Sequence, residues 1–186
     1  MPIVEAHILE GYSPAEKSRL TAALTDAVRL VVPAADEAVT VMVHEMPAEN
    51  YARGGKSRTP APALPDPIEI ALNFLTALEA REIEAAEAML ATGFRMRFPG
   101  TEPMASVAEL IDWAKDRYRF VKKTIASTEA FHADGCAVVY VIGTLSGEWP
   151  DGTPFSGIRF IDRFEIKHGK LVSQDVWNDI AEERSK

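Results

Sequence analysis

The chain has 186 residues, with 20 Lys and Arg against 28 Asp and Glu and a formal net charge of −8. This acidic balance argues against nucleic acid and anionic membranes as partners, and no apolar run approaches the ~20 residues a membrane helix needs. Cys136 is the single cysteine, so there is no intrachain disulfide; with no charged-then-apolar leader at the start, the expectation is a cytoplasmic protein.

Met1 is followed by Pro2. An initiator Met is usually removed ahead of a small residue, which would leave Pro2 as the N-terminus with a secondary amine. An α-amino group has a pKa of roughly 7.7–8. An apolar pocket lowers that value, and a free amine near neutrality serves as a general base. The alternative is an ordinary second residue.

Ile3 to Leu9 reads as a strand and stops at Glu10-Gly11-Tyr12. Ser13-Pro14-Ala15-Glu16 then reads as a helix start: Ser as N-cap, Pro in the first turn, Glu three residues after the cap. Leu20, Ala23, Leu24, Ala27, Val28 and Val31 recur at helical spacing, and Pro33 ends the helix. Val39, Val41 and Val43 alternate with Thr40, Met42 and His44 as a second strand. Asn50 to Gly55 reads as a small hairpin or turn. Strand, helix, strand in this order favours parallel pairing with a right-handed crossover.

These pieces resemble the 4-oxalocrotonate tautomerase-like family. The matching residues are Pro2, His7 to Gly11, Ser13 to Lys17, Val39 to Met46, and Tyr51 through Gly54-Gly55, about residues 2–58 in all. The resemblance implies catalysis by Pro2 on an enol or enone. Two departures stand out. Best-known members carry an arginine after the Glu-Gly pair, where this chain has Tyr12, and another within the later strand, where it has Thr40. Those arginines bind the substrate carboxylate and stabilise the developing enolate. Tyr12 can donate a hydrogen bond but supplies no fixed charge. Tyr51 replaces the family's aromatic wall residue, and Arg53 is the nearest cation able to take over anion binding. The expected substrate-binding set is therefore Tyr12, Tyr51 and Arg53, each with simple packing or solvation as its alternative.

Residues 1–58 carry six Lys/Arg and eight Asp/Glu, net −2; the remainder carries fourteen and twenty, net −6. From Pro60 to Pro67 four of eight residues are proline, which reads as a semi-rigid linker. The expected division is thus residues 1–58, a linker 59–66, and a second domain 67–186. A strand–helix–strand unit of under 60 residues cannot bury enough surface alone. A homo-oligomer is expected, and the resemblance implies its form, a trimer of dimers, hence a hexamer.

In the second half, Asp66-Pro67-Ile68 opens a helix through Leu72, Leu75 and Leu78, and residues 81–90 read as a second helix or a long extension. Phe94 to Phe98 alternates like a short strand, and Val107, Leu110, Ile111 and Ala114 mark a further helix. Four β runs follow, about 119–132, 136–146, 155–167 and 170–178, with turns at Asp134-Gly135, Asp151-Gly152 and His168-Gly169. The whole is a two-domain α+β chain: a β-α-β unit, then a cone-shaped α+β domain whose curved antiparallel sheet wraps the helices.

The second half resembles the SnoaL-like polyketide cyclases and the surrounding ketosteroid-isomerase-like superfamily. The matching residues are Phe98-Pro99-Gly100, Gly143 to Gly147, Asp151-Gly152, Phe155-Ser156-Gly157, Ile161 to Phe164, Gly169-Lys170 and Trp177-Asn178-Asp179, over about 67–180. Ile158, Phe160, Asp162, Phe164 and Ile166 fall on one strand face. A carboxylate in that row should have a raised pKa unless a cation or donors reach it. The resemblance implies an acid or base at such a position; the alternative is a satisfied structural Asp. In the last strand, Leu171, Ser173, Asp175, Trp177 and Asp179 share a face, which makes Trp177 a pocket or core candidate.

The four histidines, His7, His44, His132 and His168, show no metal-ligand spacing, and no glycine-rich loop has nucleotide-binding spacing. Neither metal nor cofactor is expected. The partner expected is a small-molecule substrate. Three functional readings remain: a Pro2 tautomerase, a two-step enzyme using Asp162 as well, and a binding protein in which the first domain only oligomerises.

Overall fold

The computed structural model describes residues 1–184. It divides into two compact units, Met1–Ala63 and Leu64–Lys186. The division falls inside the proline-rich stretch.

In the first unit, β1 (Ile3–Leu9) and β2 (Thr40–Met46) pair in parallel, from Ile3 opposite Thr40 to Leu9 opposite Met46. Helix α1 (Pro14–Arg29) connects them and opens with the expected capping box: Ser13 Oγ accepts from the Glu16 amide and Glu16 Oε2 accepts from the Ser13 amide at 2.6 Å. The helix ends at Arg29, earlier than the Val31 periodicity predicts. Leu30 and Val31 lie beyond it, 87% and 84% exposed. With no apolar layer to cover them in a single chain, extra helical turns there gain nothing. The minimal strands β3 (Ala52–Arg53) and β4 (Lys56–Ser57) form the expected hairpin. No residue from 1 to 63 is fully buried.

The second unit has a true core. Helix α2 (Pro67–Glu79) is capped by Asp66, whose carboxylate accepts from the Ile68 amide at 2.9 Å. Arg81, at φ 61°, breaks the chain before a short α3 (Ile83–Ala88), and strand β5 (Leu90–Arg97) starts earlier than its alternation suggests. Helix α4 (Val107–Ala114) precedes β6 (Phe120–Ala133), β7 (Cys136–Glu148), β8 (Pro154–Lys167) and β9 (Lys170–Asn178); α5 (Ile180–Arg184) closes the described chain. The sheet order is β5-β9-β8-β7-β6. Strands β6 to β9 form the antiparallel meander, and β5 adds to its edge parallel to β9. Asp134-Gly135 and His168-Gly169 have positive φ at both turn residues, as two-residue hairpins require.

Register shifts interrupt all four strand pairs, and bulges of this kind bend and twist a sheet. Two β7 glycines allow a closer approach than any side chain would. A Cβ on Gly143 would lie 2.1 Å from the Thr124 carbonyl oxygen, and one on Gly147 would lie 2.2 Å from that of Phe120. Strand β6 thus folds over β7 where β7 has no side chains. Below the sheet, Phe74 meets Phe94 and Phe164 edge-on, with centroids 6.3 and 6.1 Å apart.

Candidate functional site

Pro2 leads into β1, half-buried, and its carbonyl accepts from the Thr40 amide at 3.0 Å. Thr40, at the family's arginine position, brings no charge to that point. While Met1 is attached, the Pro2 nitrogen is a tertiary amide and has no basicity; amine chemistry there requires removal of Met1. Arg53 Nε donates to Tyr51 Oη at 2.9 Å, so these two expected binding residues act as a pair. Tyr12 is not part of it. Its hydroxyl donates to the Ala61 carbonyl at 2.9 Å, so its single donor is committed within the first unit. A sequence pattern does not show that the linker folds back to take that bond.

In the second unit, the β8 face is as expected: Ile158, Phe160, Asp162, Phe164 and Ile166 are all buried, Asp162 completely. Lys123 answers its charge. The Lys123 ammonium sits 2.6 Å from Asp162 Oδ2 and 3.7 Å from the centroid of the Phe160 ring. Lys123 belongs to β6, two strands away, and reaches Asp162 across the part of β7 that Gly143 leaves open. Burial pushes the Asp162 carboxyl above its ordinary range; the Lys123 charge and hydrogen bond, and a lesser hydrogen bond from Gln174, pull it back without cancelling the rise. Asp162 Oδ1 and Gln174 Oε1 are buried acceptors with no donor.

Lys123 and Gln174 also line a cavity of about 140 Å³, walled by apolar residues such as Leu78, Phe98 and Ile111 and by Tyr118. Glu79 and Arg81 add charge to its lining, and its volume is about that of a cavity able to take one benzene-sized ring. Burial raises the Tyr118 phenol pKa, only partly opposed by the charges of Arg117 and Arg81, so Tyr118 is a neutral donor at physiological pH. Asp162 is not itself on the cavity wall. It holds the ammonium of Lys123, a residue that does line the cavity.

Residues 71–174 match the model of the SnoaL-like domain family. The chain belongs to that family. Residues 2–59 match the family model described as tautomerase enzyme. Together the matches describe a protein of the isomerase or cyclase type that handles small molecules. No curated protein matches the chain. Among solved structures, a protein of unknown function described as NTF2-like, from Burkholderia pseudomallei, is 16% identical, with TM-score 0.54 over 63% of this chain and 94% of that one. TerC, co-crystallised with polyporic acid, is also 16% identical, with TM-score 0.54 over 63% and 95%. A putative SnoaL-like polyketide cyclase from Jannaschia sp. is 12% identical, with TM-score 0.52 over 69% and 95%. At these identities the likeness shows the fold. No helix among the described residues is long and apolar enough to cross a membrane.

Trp177 is a correction. It is 53% exposed on the outer face of the SnoaL-like sheet, not in the cavity. Glu165 pairs with Ser173 but Ile166 pairs with Leu171, so Val172 is an extra residue in β9. That bulge reverses the alternation. Leu171 points inward, then Gln174 and Val176, while Ser173 and Asp175 face outward to Glu165 and Arg163. Gln174 is the cavity residue that uninterrupted alternation hides. Lys123 is the other residue missed, although a buried carboxylate calls for a cation and the alternation of β6 puts Val121 and Lys123 on one face.

Proposed function

We propose that this chain is an isomerase that moves a proton between carbon and oxygen of a small enol or enone, with the Pro2 amine as general base once Met1 is removed. The observation that carries this reading is the tautomerase match beginning at Pro2, joined to Pro2's geometry: half-buried, with its carbonyl tied to β2 through Thr40. A base held at the head of a strand needs little reorganisation to reach a substrate carbon. The Tyr51–Arg53 pair supplies an aromatic surface and a cation for an acidic substrate. The absence of any buried residue in 1–63 supports a homo-oligomer, a hexamer by family resemblance, in which neighbouring copies cover this unit. The SnoaL-like cavity then holds a ring-bearing ligand of the same carbonyl class, its oxygen facing Lys123 and Tyr118.

The test follows ketonisation of phenylenolpyruvate by ultraviolet absorption. Met1-processed protein should turn it over. The same chain extended by one alanine ahead of Pro2, which converts the amine to an amide, should be inactive. Equal turnover by both would overturn the assignment.

A second reading has its own support: the Lys123–Asp162 pair beside the cavity. Lys123 would there donate to a ligand carbonyl or enolate, with Asp162 as its positioning residue, and the first unit would serve assembly alone. Turnover that survives the alanine extension but is lost in Lys123→Met would favour it.

A further inference from the structure

The spacing of the four histidines gives no sign of a metal site, but the parallel register of the first unit assembles one. His7 on β1 lies directly opposite His44 on β2. Their rings stack with centroids 4.8 Å apart and planes within 16°. Glu5, two residues before His7, projects from the same face of β1 and brings Oε2 to 3.8 Å from His7 Nε2. One ligand atom from each of Glu5, His7 and His44 lies within 4.8 Å of the other two.

We propose that Glu5, His7 and His44 form a binding site for a late first-row divalent cation such as Zn²⁺, held by two imidazoles and one carboxylate. The donor set is right: imidazole nitrogen and carboxylate oxygen bind Zn²⁺ at about 2.0–2.2 Å, and two His with one Glu is an established tetrahedral set that keeps a position open for water. Donors at those lengths stand about 3.3 Å apart in a tetrahedron, so the ligand atoms are near enough, and at least one of the stacked rings must turn about its Cβ–Cγ bond to aim its in-plane lone pair at the ion. All three side chains are exposed in the single chain. The backbone beneath them is held by a parallel pairing that runs in register from Ile3 to Leu9. The competing reading is a stacked histidine pair with a weak surface ion pair, and it predicts no specific cation affinity. The cluster is separate from the groups assigned to proton transfer: Glu5, His7 and His44 contribute nothing to the Tyr51–Arg53 pair or to the Lys123–Asp162 pair. A bound cation would tie β1 to β2 and so stabilise the first unit.

The experiment is calorimetric titration of untagged, full-length, chelator-stripped protein with Zn²⁺, repeated with Co²⁺ and read by its visible absorption. About one Zn²⁺ per chain is expected, with a dissociation constant on the order of micromolar. His7→Ala and His44→Ala should each weaken binding roughly tenfold or more, whereas His132→Ala/His168→Ala should leave it unchanged. His7→Gln and His44→Gln, checked for native circular dichroism, separate loss of a ligand from loss of fold. Binding that is absent in the parent chain, or equal in the parent and the folded His7→Gln/His44→Gln chain, overturns the proposal.

Discussion

Lys123→Met removes the cation that faces a fully buried carboxylate while keeping the length of the side chain. Asp162 is 0% exposed and Lys123 is 22% exposed, with 2.6 Å between their charged atoms. Breaking a buried pair from one side costs about 3–5 kcal/mol, because the remaining charge has no partner. The carboxyl can escape that cost by binding a proton. Its folded pKa is already raised by burial and rises further without Lys123. A group with a raised folded pKa binds more protons folded than unfolded, so its contribution to stability is fully present in acid and is lost as pH rises through the folded pKa. The variant should therefore lose little near about pH 4, close to the unfolded value of the carboxyl, and most of the 3–5 kcal/mol by about pH 8. Lys123→Met/Asp162→Leu removes both charges and should recover most of the loss at the higher pH. Urea unfolding followed by tryptophan fluorescence is the assay, and Trp113, Trp149 and Trp177 all lie in the second unit, so the signal reports that unit alone. A single-variant loss below about 1 kcal/mol at both pH values would refute the reasoning, since exposed ion pairs contribute no more than that.

Intact-mass spectrometry of protein from its native cell should give a chain one methionine lighter than the full sequence; complete retention of Met1 rules out amine chemistry at Pro2. Light scattering on purified protein should show a homo-oligomer, and a monomer at micromolar concentration would contradict the argument from the bare first unit. Gly143→Ala should destabilise the second unit by at least the roughly 1–3 kcal/mol typical of overpacking, because its Cβ meets the Thr124 carbonyl at 2.1 Å and backbone must move. Urea midpoints measured beside the parent chain check this, and an unchanged midpoint would show that β6 yields there without cost.

What could be read from the sequence was local. The Ser13–Glu16 capping box, the Asp134-Gly135 and His168-Gly169 turns and the apolar row around Asp162 are each encoded within a few residues, and each is present. What could not be read depends on a break in periodicity or on a distant partner. The extra residue at Val172 sends Trp177 outward and Gln174 inward, and no propensity marks it. Lys123 and Asp162 are 39 residues apart and meet only because Gly143 clears β7 between them. His7 and His44 are likewise joined by strand register rather than by spacing. Tyr12 was legible as a hydrogen-bond donor, but its partner is a carbonyl 49 residues on.

The most direct test compares kcat/KM for phenylenolpyruvate ketonisation in the chain extended by one alanine ahead of Pro2 and in Asp162→Asn, each against the parent chain. A general base contributes about 10²–10⁴-fold, so the extension, which turns the Pro2 amine into an amide, should lose turnover by that order while Asp162→Asn keeps it. Loss of turnover in Asp162→Asn with the extended chain unaffected would contradict the account and move the active site to the SnoaL-like cavity.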